Sequence, residues 1–207
     1  MIRVKICGIT SVEDALCAIK EGVSALGFNF YPSSPRYIDP SYASRIIKKL
    51  PPFVSIVGLF VNQDREIIRK IADMCGLDTI QFHGDEPPDF CHEFKKWRVI
   101  KAFRIKDKND LEQINNYDVN GYLLDSFHPN RYGGTGLSFQ WDILDSLRQD
   151  NNALIIAGGI NITNVEDLLT GVIPYGIDVC SGVEKEPGIK EHHLIKQLMI
   201  KVNSFGK

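Results

Sequence analysis

A thiol and a carboxyl occupy matching places in two short apolar runs far apart in the chain. Cys7 closes Arg3-Val4-Lys5-Ile6-Cys7, and Asp125 closes Gly121-Tyr122-Leu123-Leu124-Asp125. Alternate residues of a strand share a face, so Val4 and Ile6 lie on one side of the first run and Lys5 and Cys7 on the other. Gly8 breaks that strand and a helix start follows. A cysteine acts as a base only as its thiolate; a free thiol titrates near about 8.5, and positive charge beside it lowers that value. Lys5, two residues earlier on the same face, is the candidate source of that charge. A carboxyl at a half-buried strand end with apolar neighbours has a raised pKa and donates a proton near neutrality. Cys7 and Asp125 are therefore the candidate acid/base pair. Each also has an ordinary reading: a buried, inert thiol is the commoner fate of cysteine, and a strand-end aspartate often caps a helix or pairs at the surface.

Other residues would hold a ligand. Arg36 sits in Tyr31-Pro32-Ser33-Ser34-Pro35-Arg36-Tyr37, where two prolines stiffen the loop and limit the entropy lost on binding. Its planar guanidinium suits a carboxylate, although most arginines are solvated. Two late glycine-rich segments, Ala157-Gly158-Gly159-Ile160-Asn161 and Asp178-Val179-Cys180-Ser181-Gly182-Val183-Glu184, each follow a strand. Glycines let backbone N–H groups approach a phosphate, and a helix N-terminus adds partial positive charge. A plain tight turn fits either segment alone; both together favour phosphate. Gly158, Gly159, Ser181 and Gly182 are thus candidate phosphate contacts, and His83 and Asp178 candidate substrate contacts. The Tyr132-Gly133-Gly134-Thr135-Gly136 stretch reads equally as a lid or as a surface turn. His92, His192 and His193 read as helix surface residues, and no His/Asp/Glu cluster has metal-ligand spacing, so neither a metal nor a cofactor is expected.

The elements that would position these residues alternate strictly. Apolar runs at Val4–Cys7, Ala25–Phe30, Val54–Phe60, Thr79–Phe82, Val99–Phe103, Gly121–Asp125, Ala153–Ala157 and Gly176–Cys180 read as strands. Helical patterns lie between and after them, near 12–21, 41–49, 64–75, 88–96, 108–116, 138–148, 162–171 and 190–202. Helix starts are marked by Thr10 and Ser11 ahead of Glu13 and Asp14, by Asp39 before Pro40, and by Thr163 ahead of Glu166. Strand–helix alternation means a parallel sheet. A doubly wound sheet should carry G-x-G-x-x-G after its first strand, and this chain has Cys-Gly-Ile-Thr. We therefore expect an α/β chain forming a single-domain (β/α)8 TIM barrel over residues 1–207. At 207 residues it would be compact, since such barrels usually need about 250. Their active sites lie at the C-terminal ends of the strands, with phosphate held after strands seven and eight. The unusual residues noted above stand at those ends.

Composition removes other classes. A formal net charge of -2 gives no reason to expect nucleic acid or an anionic membrane surface as partner. No apolar run approaches membrane-spanning length, and the start lacks the pattern of a signal peptide. The five cysteines, Cys7, Cys17, Cys75, Cys91 and Cys180, are odd in number and show no C-x-x-C spacing. That argues against a disulfide framework and for the reducing cytoplasm. Cys17, Cys75 and Cys91 read as small buried hydrophobes. A monomer and a homodimer both remain open.

Seven segments, in order, resemble motifs of the phosphoribosylanthranilate isomerase family. They are Lys5-Ile6-Cys7-Gly8-Ile9-Thr10, Phe30-Tyr31-Pro32-Ser33-Ser34-Pro35-Arg36, Gln81-Phe82-His83-Gly84, Leu124-Asp125, Gly133-Gly134-Thr135-Gly136, Ala157-Gly158-Gly159 and Ser181-Gly182-Val183-Glu184. The ordered set spans nearly the whole chain. The resemblance implies a (β/α)8 barrel that performs an Amadori rearrangement in tryptophan biosynthesis, acting on a phosphorylated small-molecule substrate. It implies Asp125 as general acid, Cys7 as general base, Arg36 holding the anthranilate carboxylate, and Gly158-Gly159 and Ser181-Gly182 holding phosphate. Histidine-biosynthesis isomerases share the late glycine loops but are expected to use paired aspartates, against which Cys7 speaks. A non-catalytic phosphate-binding barrel would need neither Cys7 nor Asp125. One departure is Cys180, where that family usually has serine. Barrel closure would bring Cys180 toward Cys7 and make oxidation a liability.

Overall fold

The computed structural model describes residues 1–105, 113–125 and 153–205. Eight parallel strands close on themselves in sequence order. They are β1 (Arg3–Cys7), β2 (Ala25–Asn29), β3 (Ser55–Phe60), β4 (Thr79–Phe82), β5 (Arg98–Arg104), β6 (Gly121–Asp125), β7 (Ala153–Ala157) and β8 (Gly176–Val179). The ring closes where β8 pairs with β1, setting Lys5 against Asp178 and Ile6 against Val179. Between and after the strands lie helices α1 (Val12–Lys20), α2 (Pro40–Ile47), α3 (Arg65–Cys75), α4 (Pro88–His92), α5 (Val165–Gly171) and α6 (His192–Ser204). The expected helix at 138–148, the 132–136 glycine stretch and His128 lie outside the described residues. So does most of the helix expected at 108–116, of which Gln113–Asn116 is a 3₁₀ turn.

Local chemistry sets the helix starts. The Ser11 side chain accepts from the Asp14 amide, and Asp39, followed by Pro40, accepts from the amides of Ser41 and Tyr42. Helix α3 starts at Asp64 and ends on Gly76, whose left-handed φ of 63° suits a residue without a Cβ. The start expected at Thr163 is displaced. The Asn161 side chain takes the Thr163 amide and hydroxyl instead, Asn164 becomes the N-cap, and α5 begins at Val165. Helix α4 stops at His92, short of the expected 88–96.

The main core lies between barrel and helices, with Phe28, Phe60, Phe82 and Phe94 fully buried. Inside the barrel a separate apolar cluster joins Ala102, Leu123, Ile155 and Ala157. Lys5, Gln81 and Asp178 are also buried there. Barrel interiors usually stack bulky aliphatic side chains. This one gives part of that space to charge, which directs attention to the strand ends directly above.

Candidate active site

A cavity of about 520 Å³ opens at the C-terminal ends of the strands. Cys7, His83, Asp125 and Asp178 line it from four strand ends, and Arg36 reaches it from the loop after β2. Gly158, Gly159 and Ser181 form its wall after β7 and β8. A larger cavity, about 760 Å³, opens at the opposite end beside Arg3, Ser55, Arg98 and Tyr175 and holds none of these side chains. Eight of the nine site residues expected from sequence therefore meet in one space. Gly182 is the ninth: a Cβ there would fall 1.9 Å from the Ile160 carbonyl oxygen, so glycine at 182 is what lets the two late loops pack together.

The floor of the site is a charge network. Lys5 Nζ lies 2.9 Å from both Asp178 oxygens, and both side chains are buried. Gly27 leaves them room, since a Cβ there would lie 3.0 Å from both Lys5 Nζ and Cys7 Sγ. Two residues were not anticipated. The loop after β8 continues as a small hairpin, β9 (Glu184–Glu186) and β10 (Ile189–Lys190). From it, the fully buried Lys190 ammonium donates to the Cys7 carbonyl and, at 2.8 Å, to Glu184. Arg36 is not a free guanidinium: its Nε and Nη2 donate to Glu184 at 2.9 and 2.6 Å. That ion pair fixes the guanidinium plane and leaves Nη1 uncommitted to Glu184. The signal for Lys190 was slight, a lone lysine after Gly188; Glu184 stood inside a quoted motif without a role.

These charges decide the state of Cys7. The hydrogen bond from Cys180 is the largest influence, and Lys5 and Lys190 add to it; together they outweigh burial and hold the Cys7 thiol well below its ordinary range. Cys180, as the donor of that bond, is pushed up. Other cysteines go the ordinary way: burial raises Cys75 to about 11 and Cys91 to about 12. It also raises Cys17, which is only partly buried, contrary to the expectation of a core thiol. Lys5 is held above its ordinary value because Asp178 and Cys7 overcome the effect of burial. Burial alone would raise Glu184, but Arg36 and Lys190 hold it at about 2. With Cys7 as thiolate, the cations Lys5, Lys190 and Arg36 face the anions Asp178, Glu184 and Cys7, and the network is neutral.

Across the cavity, His83 Nε2 lies 3.6 Å from Asp125 Oδ2. The fully buried Gln81 amide stands 3.0 Å from His83 Nδ1. When Nδ1 accepts from Gln81, the ring proton sits on Nε2 and faces Asp125. At the glycine wall, Gly158 and Gly159 adopt φ of 96° and 59°. Among the described residues, no group accepts from the amides of Gly158, Gly159, Ser181 or Gly182. The helix dipole expected behind both loops is small: α5 starts late, and Ser181–Val183 is a single 3₁₀ turn. What positive polarity this wall offers comes from the amides. Away from the cavity, His192 is more than a surface residue, its Nε2 lying 2.8 Å from Asp14.

The family model for N-(5'-phosphoribosyl)anthranilate (PRA) isomerase matches residues 4–201. The Geobacter sulfurreducens N-(5'-phosphoribosyl)anthranilate isomerase is 48% identical over 199 residues, 96% of this chain and 97% of that protein. The crystal structure of phosphoribosyl anthranilate isomerase from Thermotoga maritima superposes with a TM-score of 0.89 at 42% identity, covering 99% of this chain and all of that one. A phosphoribosyl anthranilate isomerase in complex with reduced 1-(o-carboxyphenylamino)-1-deoxyribulose 5-phosphate gives 0.88 at 40% identity, covering 99% and 100%.

Proposed function

The chain belongs to the N-(5'-phosphoribosyl)anthranilate isomerase family, and from that premise we propose that Cys7 and Asp125 are the base and acid of its reaction. The enzyme is an isomerase of tryptophan biosynthesis. It converts N-(5-phospho-β-D-ribosyl)anthranilate to 1-(2-carboxyphenylamino)-1-deoxy-D-ribulose 5-phosphate. Asp125 gives a proton to the furanose ring oxygen, and the C1′–O bond breaks as the anilino nitrogen supplies its electron pair. The product is an open-chain protonated Schiff base. Cys7 thiolate then takes the proton from C2′, and the electrons of that C–H bond flow to the iminium nitrogen, giving the enolamine. Tautomerisation yields the ketone. The substrate's own nitrogen serves as electron sink.

The observation that carries this reading is that Cys7 and Asp125 open into one cavity, with Cys7 held down by the network beneath it while Cys17, Cys75 and Cys91 are pushed up. Arg36 takes the substrate carboxylate, and the amides at Gly158, Gly159, Ser181 and Gly182 take the phosphate. Anchors at the two ends of the substrate hold the sugar between acid and base. His83 faces Asp125 and orients it, and Asp178 acts on the substrate's side of the cavity while holding Lys5 in place. Among the described residues no helix is long and apolar enough to cross a membrane; the reducing cytoplasm is the compartment that suits a free thiolate.

Acid and base groups typically contribute about 10²–10⁴-fold each. Cys7→Ser and Asp125→Asn should each lose that much kcat in a fluorescence assay of substrate consumption, with the folded state retained by circular dichroism. Turnover close to that of the unaltered enzyme in either variant would defeat the assignment.

A further inference from the structure

The proton transfers leave one of the cavity's two thiols without a task. Pairing of β8 with β1 sets Ile6 against Val179, so the residues that follow on each strand, Cys7 and Cys180, come side by side. Neighbouring strands lie about 4.8 Å apart, inside the roughly 4.4–6.8 Å Cα separation that a disulfide spans. Both side chains line the same cavity. A Cβ on Gly8 would lie 3.3 Å from Cys180 Sγ, so glycine there leaves the second sulfur its place. Lys190 Nζ stands 3.9 Å from Cys180 Sγ, and Lys5 supplies positive charge from below. The three other cysteines share none of this: Cys75 and Cys91 are sealed in the core, and Cys17 sits on α1.

We infer that Cys7 and Cys180 form an oxidative modification site for small hydroperoxides, which convert the two thiols to a Cys7–Cys180 disulfide that a dithiol reverses. The Cys7 thiolate attacks the distal peroxide oxygen. The S–O bond forms, the O–O bond breaks, the sulfur loses two electrons, and the departing alkoxide or hydroxide takes a proton. Cys180 then attacks the Cys7 sulfenic acid. The S–S bond forms, the S–O bond breaks, and hydroxide leaves with the Cys180 proton as water. The sum is two thiols and one hydroperoxide giving a disulfide, one alcohol or water, and water. The positive surroundings favour the thiolate that starts the sequence, and the neighbouring thiol traps the sulfenic acid before further oxidation.

The test uses the whole reduced protein, a small molar excess of hydrogen peroxide, and mass spectrometry of an unreduced digest. The expected product is a linked pair of peptides carrying Cys7 and Cys180, lighter than the two thiol peptides by two hydrogen atoms. Activity should fall in proportion to the linked fraction and return with dithiothreitol. In Cys180→Ser, compared with its own untreated rate, Cys7 should instead label with dimedone and pass to sulfinic acid, and dithiothreitol should restore only the fraction still at the sulfenic acid. Absence of the linked pair in the unaltered protein, with Cys7 found as sulfinic acid or unmodified, overturns the inference. The linkage is read directly, so this result is independent of whether Cys7 serves as the base.

Discussion

Cys7 owes its chemistry to neighbours rather than to its own side chain. The Cys180 hydrogen bond and the ammonium groups of Lys5 and Lys190 favour the thiolate by more than burial opposes it. Its iodoacetamide alkylation rate should therefore rise with pH to a midpoint below the free-thiol value of about 8.5. Lys5→Met removes one cation, so the thiolate loses stabilisation and the midpoint should move upward. A midpoint unmoved by that change would mean that Lys5 does not act on the sulfur. Glu184 works in the same indirect way on Arg36. Losing a hydrogen bond to a charged group costs about 1.5–3 kcal/mol, so Glu184→Gln should raise KM roughly 10–100-fold if Arg36 must stay in place to meet the carboxylate. Steady-state kinetics should show the effect in KM with kcat little changed; an unaltered KM would remove Glu184 from substrate positioning. The candidate residues themselves were legible from sequence because cysteine, aspartate and arginine at strand ends or in stiffened loops have few structural uses there. Their partners were not, because Glu184 and Lys190 lie some 150–180 positions away from the groups they hold.

At the level of elements, the strands carry the groups proposed to react and the loops after them carry the proposed anchors. Alternation along β1 puts both Lys5 and Cys7 inside the barrel, one layer apart, which makes the cation an electrostatic neighbour of the thiol. The two late loops are locked to each other at Gly182 and the Ile160 carbonyl. Gly182→Ala forces a Cβ into that carbonyl, so one loop must shift and the amide set is spoiled. The expected outcome is weaker competitive inhibition by inorganic phosphate and a raised KM, while the alkylation rate of Cys7 stays as it was. Phosphate inhibition unchanged in this variant would separate the loop from phosphate binding. Sequence marked most helix starts well, because capping uses residues within three positions of one another. It failed at Thr163, where Asn161 competes for the same amide, and it gave no warning of the β9–β10 hairpin, whose strands are too short to show a pattern.

For the whole molecule, closure of the barrel is the decisive event. It brings the first and last strands together, and with them Lys5 to Asp178, Lys190 to Cys7, and Cys180 to Cys7. Breaking a buried ion pair by removing one partner costs about 3–5 kcal/mol. Asp178→Leu strands the Lys5 ammonium inside the barrel and should lower Tm by roughly 6–20 °C for a domain of this size. Calorimetry of the two proteins checks this, and an equal Tm would mean that the pair does not hold the barrel closed. The amino-acid order alone was enough for the strand–helix alternation, the barrel, the glycine loops and the candidate residues that line one cavity, because each rests on periodicity, turn chemistry or residue type within a short window. Which charges meet, and so which thiol is favoured as thiolate and how Arg36 is held, was decided only by the folded ring. Electrostatic interaction depends on distance through space, and no local pattern records that position 5 will touch position 178 or that position 7 will touch position 190.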